Sequence, residues 1–141
     1  MFNLVNAARK QHLPRWLGNQ TLRWHAGVAA VARGHSLDMQ QRQFIDHNNP
    51  EGLGVARRLE RYGLTYLACG ENIGVVYGAA SHSAAGIDEI HTAFINQPRS
   101  LTNHRANILN PIWSHVGVGV AYAPSGTLIA VQNFMAIYGK S

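Results

Sequence analysis

The spacing of apolar residues predicts helices over the first part of the chain. The segment "NLVNAARKQHLP" (3–14) has a helical pattern and should end at Pro14, which cannot continue a helix. From Leu22 to Met39, apolar and small residues recur at three- and four-residue steps, which predicts a long helix with one inward stripe. Thr21 is a suitable N-cap for this helix, because its side-chain oxygen can accept a first-turn N–H.

Two shorter helical segments follow, separated by turn-forming residues. The segment "FIDHNNPEG" (44–52) should interrupt the helical pattern, and "GVARRLERYG" (54–63) should form a helix with Val55, Leu59 and Tyr62 on one face. Gly63 is placed to end it in the left-handed conformation. The segment "GIDEIHTAFINQ" (86–97) is also helical in pattern, up to Pro98.

The last third of the chain changes to the two-residue period of a strand. Three valines at 116, 118 and 120 alternate with small residues, "PSG" (124–126) is a turn, and "TLIAVQNFMAIY" (127–138) can return antiparallel. An extended segment is also indicated at "GENIGVVYG" (70–78). Residues 1–141 are therefore expected to form one α+β domain, with three or four helices covering a largely antiparallel sheet.

Composition limits the classes of function more than it selects one. The chain is 46% apolar and 13% charged, as in globular proteins, and it has no apolar run near the ~20 residues of a membrane span. Its opening residues lack the apolar core of a signal peptide. The net charge of +5 favours acidic partners weakly, including an anionic cell-envelope surface. The basic residues of "ARRLERYG" are interpreted as a solvated helix face, and no nucleic-acid-binding motif is found.

Most of the cysteine and histidine residues have ordinary structural interpretations. The single cysteine, Cys69, excludes an internal disulfide and is interpreted as a small buried thiol rather than as a nucleophile. His35 lies on the inward stripe and is expected to be a hydrogen-bonded core residue. The remaining lone histidines are expected to be packed or at the surface: His12, His25, His82, His91 and His115.

His47, Glu71 and His104 differ from the others because each lies at or beside a break in regular structure. Such positions on a rigid scaffold can present side chains to a cleft. Two neutral imidazoles and one carboxylate are a suitable ligand set for zinc, with the fourth position open to water. Their spacing in the sequence does not show that they meet.

A series of short motifs resembles one known family. The segments "LVNAAR", "ARGHSLDM", "FIDHNNPEG", "RLERYG", "GENI", "NHRANILNP", "VGVGVAY" and "VQNF" occur in the order found in bacterial members of the SCP/PR-1-like, or CAP, superfamily. The resemblance covers nearly the whole chain. It implies an α-β-α sandwich, with a central three-stranded, mainly antiparallel sheet between helical layers and a large cleft on one side.

The resemblance also implies a set of cleft residues. The family's cleft histidines fall on His47 and His104, and its "GEN" acid falls on Glu71. Better-studied eukaryotic members of the family also have an acid in the cleft, three residues after an aromatic residue on the preceding helix. If Phe94 is that aromatic residue, this chain has Gln97 in place of the acid. With one carboxylate fewer, metal binding is expected to be weaker and more dependent on pH.

Neighbouring residues leave alternatives open. Asn103 replaces the glycine that usually precedes the second histidine of the family. Arg105 is interpreted either as an anion clamp in the cleft or as a side chain that covers apolar surface. Asn72 is expected to bridge backbone groups. Ile108 and Leu109 should anchor this turn in the core.

Three functions remain open from the sequence. The first is a non-enzymatic extracytoplasmic binding domain whose cleft holds a divalent metal such as zinc, an anion, or a small apolar ligand; the resemblance adds lipid or sterol capture. The alternative is a metal-dependent hydrolase with Glu71 as general base. The third is an envelope-binding module that uses its positive charge. The resemblance implies an extracellular or periplasmic location, with a leader that this chain does not include.

Overall fold

The sequence forms five helices and four strands in the described part of the chain. The computed structural model describes residues 1–18, 20–78, 83–123 and 125–137, so His82 and Pro124 lie outside the described residues. The helices are α1 (Phe2–His12), α2 (Ala26–Arg42), α3 (Val55–Arg61), α4 (Ala84–Ile95) and α5 (His104–Leu109). The strands are β1 (Arg23–Trp24), β2 (Ala68–Tyr77), β3 (His115–Ala123) and β4 (Thr127–Ala136).

The sheet has the strand order β1-β3-β4-β2. Its three long strands are antiparallel, with Glu71 of β2 and Gly117 of β3 both paired with Asn133 of β4. The two-residue β1 adds a parallel edge to β3, so the sheet has four strands rather than the expected three. A segment this short has no alternation that sequence analysis can detect. The α+β class and the sandwich of helices around a central sheet are confirmed.

The small residues of β3 bring α2 close to the sheet. A Cβ atom at Gly117 would lie 2.1 Å from the backbone N of Ala29, and one at Gly119 would lie 2.1 Å from that of Arg33. Any side chain at these positions would displace the helix. The valines that alternate with them pack in the core cluster on the opposite face, with residues of α1, α4 and α5.

The expected start of α2 at Thr21 is wrong. The helix begins at Ala26, and its N-cap is His25, whose Nδ1 accepts from the Val28 N–H at 3.2 Å. The backbone N–H groups of Arg23 and His25 instead donate to carbonyls of residues 114 and 116, at 3.0 Å each. This segment is therefore paired with the sheet rather than helical, which local periodicity does not show.

A matched pair of glycine substitutions tests the close approach of α2 and β3. Gly119→Ala should lower the free energy of unfolding by about 3 kcal/mol or more, because its Cβ would overlap the backbone of α2. Gly34→Ala, in the exposed face of the same helix, meets no atom within 4 Å and should raise that free energy by about 0.5–1 kcal/mol. Urea unfolding curves measure both. Equal effects of the two substitutions would contradict the packing described.

Candidate functional site

Glu71 is the buried centre of the candidate site. It lies on β2 with 1% of its side chain exposed. Arg58 Nη1 donates to Glu71 Oε2, and Arg58 Nη2 donates to Oε1, each at 2.9 Å. His47 Nδ1 lies 2.9 Å from the same Oε1 and, facing a carboxylate, carries a proton. Both oxygens of Glu71 therefore have donors from the protein.

Arg58 comes from α3 and was not identified from the sequence. Its side chain is 9% exposed, and Nη2 also donates to the His47 carbonyl at 2.8 Å. The interpretation of "ARRLERYG" as a wholly solvated face is wrong at this residue. Arg58 follows Val55 by three positions and precedes buried Leu59, so helical spacing places it on the inward face. Tyr62, expected on that face, lies beyond the last residue of α3 and is 56% exposed.

The end of α3 agrees with the sequence pattern. Gly63 has φ +90°, the left-handed conformation expected for it. This turn directs the chain away from the helix and toward β2.

The loop that carries His47 is held by a buried histidine. His35 is 2% exposed, and its Nε2 lies 2.8 Å from the Asp46 carbonyl, which confirms the expected hydrogen-bonded core position. The Asp46 and Asn49 side chains accept backbone N–H groups within the loop, at 2.9–3.1 Å. These bonds fix the backbone on both sides of His47. Its imidazole remains 58% exposed.

His104 is the first residue of α5. Asn103, which replaces the usual glycine, caps this helix by accepting the Ala106 N–H at 2.9 Å. The His104 ring stacks on Phe94 of α4, with 4.4 Å between ring centroids and 8° between planes. Two neighbouring elements therefore fix the position and the tilt of this imidazole.

Gln97 determines which nitrogen of His104 carries the proton. Its Oε1 accepts the Arg105 backbone N–H at 3.1 Å, so its Nε2 is the group that faces His104 Nδ1 at 3.0 Å. An amide nitrogen is a donor only, and Nδ1 must accept. His104 is therefore neutral here, with its proton on Nε2.

A network of amides joins β2 to α5 behind these side chains. Asn72 Nδ2 donates to the His104 carbonyl and to Gln132 Oε1, both at 3.1 Å. Asn107 Nδ2 donates to Asn72 Oδ1 at 2.9 Å and to the Glu71 carbonyl at 3.2 Å. Asn72, expected to bridge backbone groups, instead lies within β2 and bonds one backbone carbonyl and two side-chain amides. Ile108 is fully buried beneath the same turn.

Burial and hydrogen bonding shift the pKa values of Glu71, His47 and His104 in different directions. Burial would raise the pKa of Glu71, but its hydrogen bonds from His47 and Arg58 outweigh burial and lower it. The hydrogen bond to Glu71 raises the pKa of His47 above its ordinary value. Burial, together with the nearby charge of His47, lowers the pKa of His104. The site therefore combines an ionised carboxylate, a neutral imidazole and an imidazole that protonates readily.

The donor set does not fit a divalent cation as it is arranged. Both Glu71 oxygens are engaged by Arg58 and His47, and Nδ1 of His104 is engaged by Gln97. Over the described ranges, no group of three His, Cys, Asp or Glu residues is arranged to hold a metal ion. A cation at Glu71 would have to displace a bidentate guanidinium.

Two other residues singled out from the sequence lie outside this cluster. Arg105 Nη1 donates to the Ile95 carbonyl at 2.7 Å, and the residue lines a separate cavity with Arg99 and Leu101. Its side chain thus supports the end of α4. The Cys69 thiol is half-buried, and burial raises its pKa, so it is not an activated thiolate.

The family of the chain follows from comparison with known proteins. A model of the cysteine-rich secretory protein family, CAP, matches residues 2–134. The chain belongs to this family, as its motifs indicated. No helix among the described residues is long and apolar enough to span a membrane.

Relatives and solved structures extend this result. The uncharacterized protein YkwD of Bacillus subtilis is 30% identical over 129 residues, which are 92% of this chain and 43% of YkwD. A crystal structure of an extracellular protein with an SCP domain from Bacillus anthracis has 29% identity and a TM-score of 0.73, covering 96% of this chain and 38% of that one. An outer surface protein of Borrelia burgdorferi shares the fold at 15% identity, with a TM-score of 0.75 over 96% of this chain and 89% of its own. The chain spans less than half of the two Bacillus proteins.

Substitution of Glu71 tests the coupling within the cluster. In Glu71→Gln, the pKa of His47 should fall, because the protonated imidazole loses its carboxylate partner. The free energy of unfolding should fall by about 3 kcal/mol, because Arg58 is left buried and unpaired. An NMR pH titration of the imidazole and urea unfolding measure the two effects. Exposed Glu60→Gln on α3 is the control, and a His47 pKa that stays unchanged in Glu71→Gln would contradict the assignment.

Proposed function

We propose that this chain is an extracytoplasmic binding domain that takes a small anionic ligand at His47, beside Glu71 and His104. The main support is the bidentate pairing of Arg58 with Glu71, which neutralises the only carboxylate of the cluster. The exposed ring of His47 remains to face a ligand, and its Nε2 becomes a hydrogen-bond donor when the imidazole is protonated. An extracellular protein and an outer surface protein among the structural neighbours support the location.

His47 supplies the charge for this ligand. Its Nδ1–H is directed at Glu71, so its other ring nitrogen, Nε2, becomes a donor when the imidazole protonates. The pKa of His47 is raised, which extends the charged form toward neutral pH. With Arg58 and Glu71 compensating each other and His104 neutral, the protonated His47 adds one positive charge to these four residues, which the neighbouring carboxylate of Asp46 partly offsets. An anion is favoured there and a cation is not.

Anion binding should depend on pH through His47. Acetate or inorganic phosphate should bind more tightly below the pKa of His47, and affinity should fall about tenfold as pH rises through it, since a charge-assisted hydrogen bond is lost. Chemical shifts of the site, followed at constant ionic strength, measure this. His47→Gln should abolish the dependence, and His12→Gln, at an exposed position of α1, should keep it. A pH-independent affinity would exclude the proposed role of His47.

Zinc titration separates this proposal from a metal site at His47, Glu71 and His104. Calorimetry should give the same heats for the wild type and for the His47→Ala/His104→Ala double variant, because Arg58 occupies the carboxylate. A saturable heat that only the wild type shows would support a metal centre and contradict the anion proposal.

The hydrolase alternative gains no support from the geometry. A general base needs a free oxygen and a pKa near the working pH, whereas both oxygens of Glu71 are engaged and its pKa is lowered. That alternative stays a prediction, for which chelator-sensitive turnover of peptide, ester or glycan substrates is the measurement.

A further inference from the structure

Acidic residues are confined to one part of the chain. All seven lie between Asp38 and Glu89, whereas eight of the twelve lysine and arginine residues lie outside that segment. The ion pairs among the described residues also form within that segment. The positive charge of residues 1–37 and 90–141 therefore has no carboxylate of its own to offset it.

Two of these uncompensated charges line a concavity of about 400 Å³ between the end of α1 and α5. They belong to Arg99 and Arg105, and none of the described residues that line the concavity is acidic. Arg99 is exposed, and its side chain has no hydrogen bond or ion pair to a described residue. Arg105 donates to the Ile95 carbonyl, which leaves its charge unpaired.

The acids of α4 are too far along the helix to neutralise this concavity. Asp88 and Glu89 precede Ile95 by nearly two turns, which is about 10 Å of helix. Salt screens exposed charges over about 8 Å at physiological ionic strength. The lining of the concavity is therefore a locally cationic surface.

Large apolar side chains are exposed around the same concavity. Leu101 lines it and is 96% exposed. Trp16 is 82% exposed, in a turn that directly follows the lining residue Leu13 and is closed by a backbone hydrogen bond of 3.1 Å. Ile112, which follows the lining residue Pro111, is 52% exposed. Exposed apolar groups of this size, gathered in one region, indicate a surface that meets a partner.

Cationic and apolar side chains stand side by side on this surface. Exposed Arg15 shares the turn of Trp16, and Arg99 lies two residues before Leu101 in the same loop. An anionic lipid bilayer presents the matching combination, because its phosphate groups lie directly above an apolar interior, and tryptophan favours that boundary. A soluble acidic polymer would pair with the arginines but would leave the apolar side chains in water. We call this surface the α1/α5 face and define it by six residues: Arg15, Trp16, Arg99, Leu101, Arg105 and Ile112.

From this combination we propose that the α1/α5 face docks the domain on an anionic lipid bilayer. Trp16 and Leu101 would enter the boundary between the headgroups and the acyl chains, and the arginines of the face would pair with lipid phosphates. This docking is independent of the anion proposed at His47, since it does not involve that imidazole.

Vesicle sedimentation and fluorescence test the proposal. Vesicles of phosphatidylglycerol and phosphatidylcholine in equal parts should bind the chain, vesicles of phosphatidylcholine alone should not, and added salt should weaken binding. Brominated lipids should quench the tryptophan fluorescence of the bound chain. Trp16→Phe should remove most of this quenching. Trp24→Phe should keep it, because Trp24 packs on Phe2 at the opposite end of α1.

Matched substitutions assign the binding to the face. Arg99→Gln should weaken binding about fivefold, through loss of one cation near the anionic surface. Trp16→Ala should weaken it about tenfold, because its apolar area no longer leaves water. Two controls at exposed positions elsewhere, Arg33→Gln on α2 and Tyr77→Ala at the end of β2, should each change the affinity less than about twofold.

The outcomes are distinct from those of the anion test. Vesicle binding that persists in His47→Gln supports a separate surface, whereas its loss would overturn the proposal, because the lipid would then occupy the site at His47. No binding to phosphatidylglycerol vesicles at low salt, or equal weakening in Arg99→Gln and Arg33→Gln, would also overturn it. So would polyglutamate that binds the wild type and Trp16→Ala equally and as tightly as the vesicles do, because a soluble acidic polymer would then be the partner.

Discussion

The buried ion pair between Arg58 and Glu71 is the interaction on which the candidate site depends. Removing a carboxylate from water costs several kcal/mol, which only a well-placed partner offsets. Arg58 provides that partner with two parallel hydrogen bonds, and it also holds the loop through the His47 carbonyl. One guanidinium thus links α3, β2 and the loop, while it sets the charge that a ligand meets.

This pair explains why three residues alone do not define a metal site. His47, Glu71 and His104 have the residue types that zinc favours, and the chain brings Glu71 into contact with His47. Whether the oxygen and nitrogen atoms of these side chains are free to bind a metal ion depends on the residues around them. Arg58 occupies the carboxylate, and Gln97 fixes the proton of His104 on the nitrogen that faces away from the amide. A carboxylate in the position of Gln97 would add negative charge to the site, which would then favour a cation over an anion.

Local patterns predicted the features that depend on neighbours in sequence. The alternation after Val116 identified β3, and the small residues within it are those that α2 approaches. Arg58 has the charge typical of a solvated residue, so its residue type gives no sign of burial, although its spacing from Val55 places it on the inward face of α3. The start of α2 could not be found locally, since His25 is held by a hydrogen bond to residue 116, far along the chain. Long-range pairing leaves no periodic signal at such a site.

The position of His104 depends on a second buried cation, at the other end of its helix. Arg9 of α1 is fully buried, and burial lowers its pKa to about 10. Its Nη1 donates to the carbonyls of Ile108 and Asn110, at 2.9 and 2.8 Å, at the end of α5, where helix carbonyls lack partners. Asn103 caps the opposite end. A helix of six residues is too short to be stable alone, so these contacts, not its propensity, orient the imidazole.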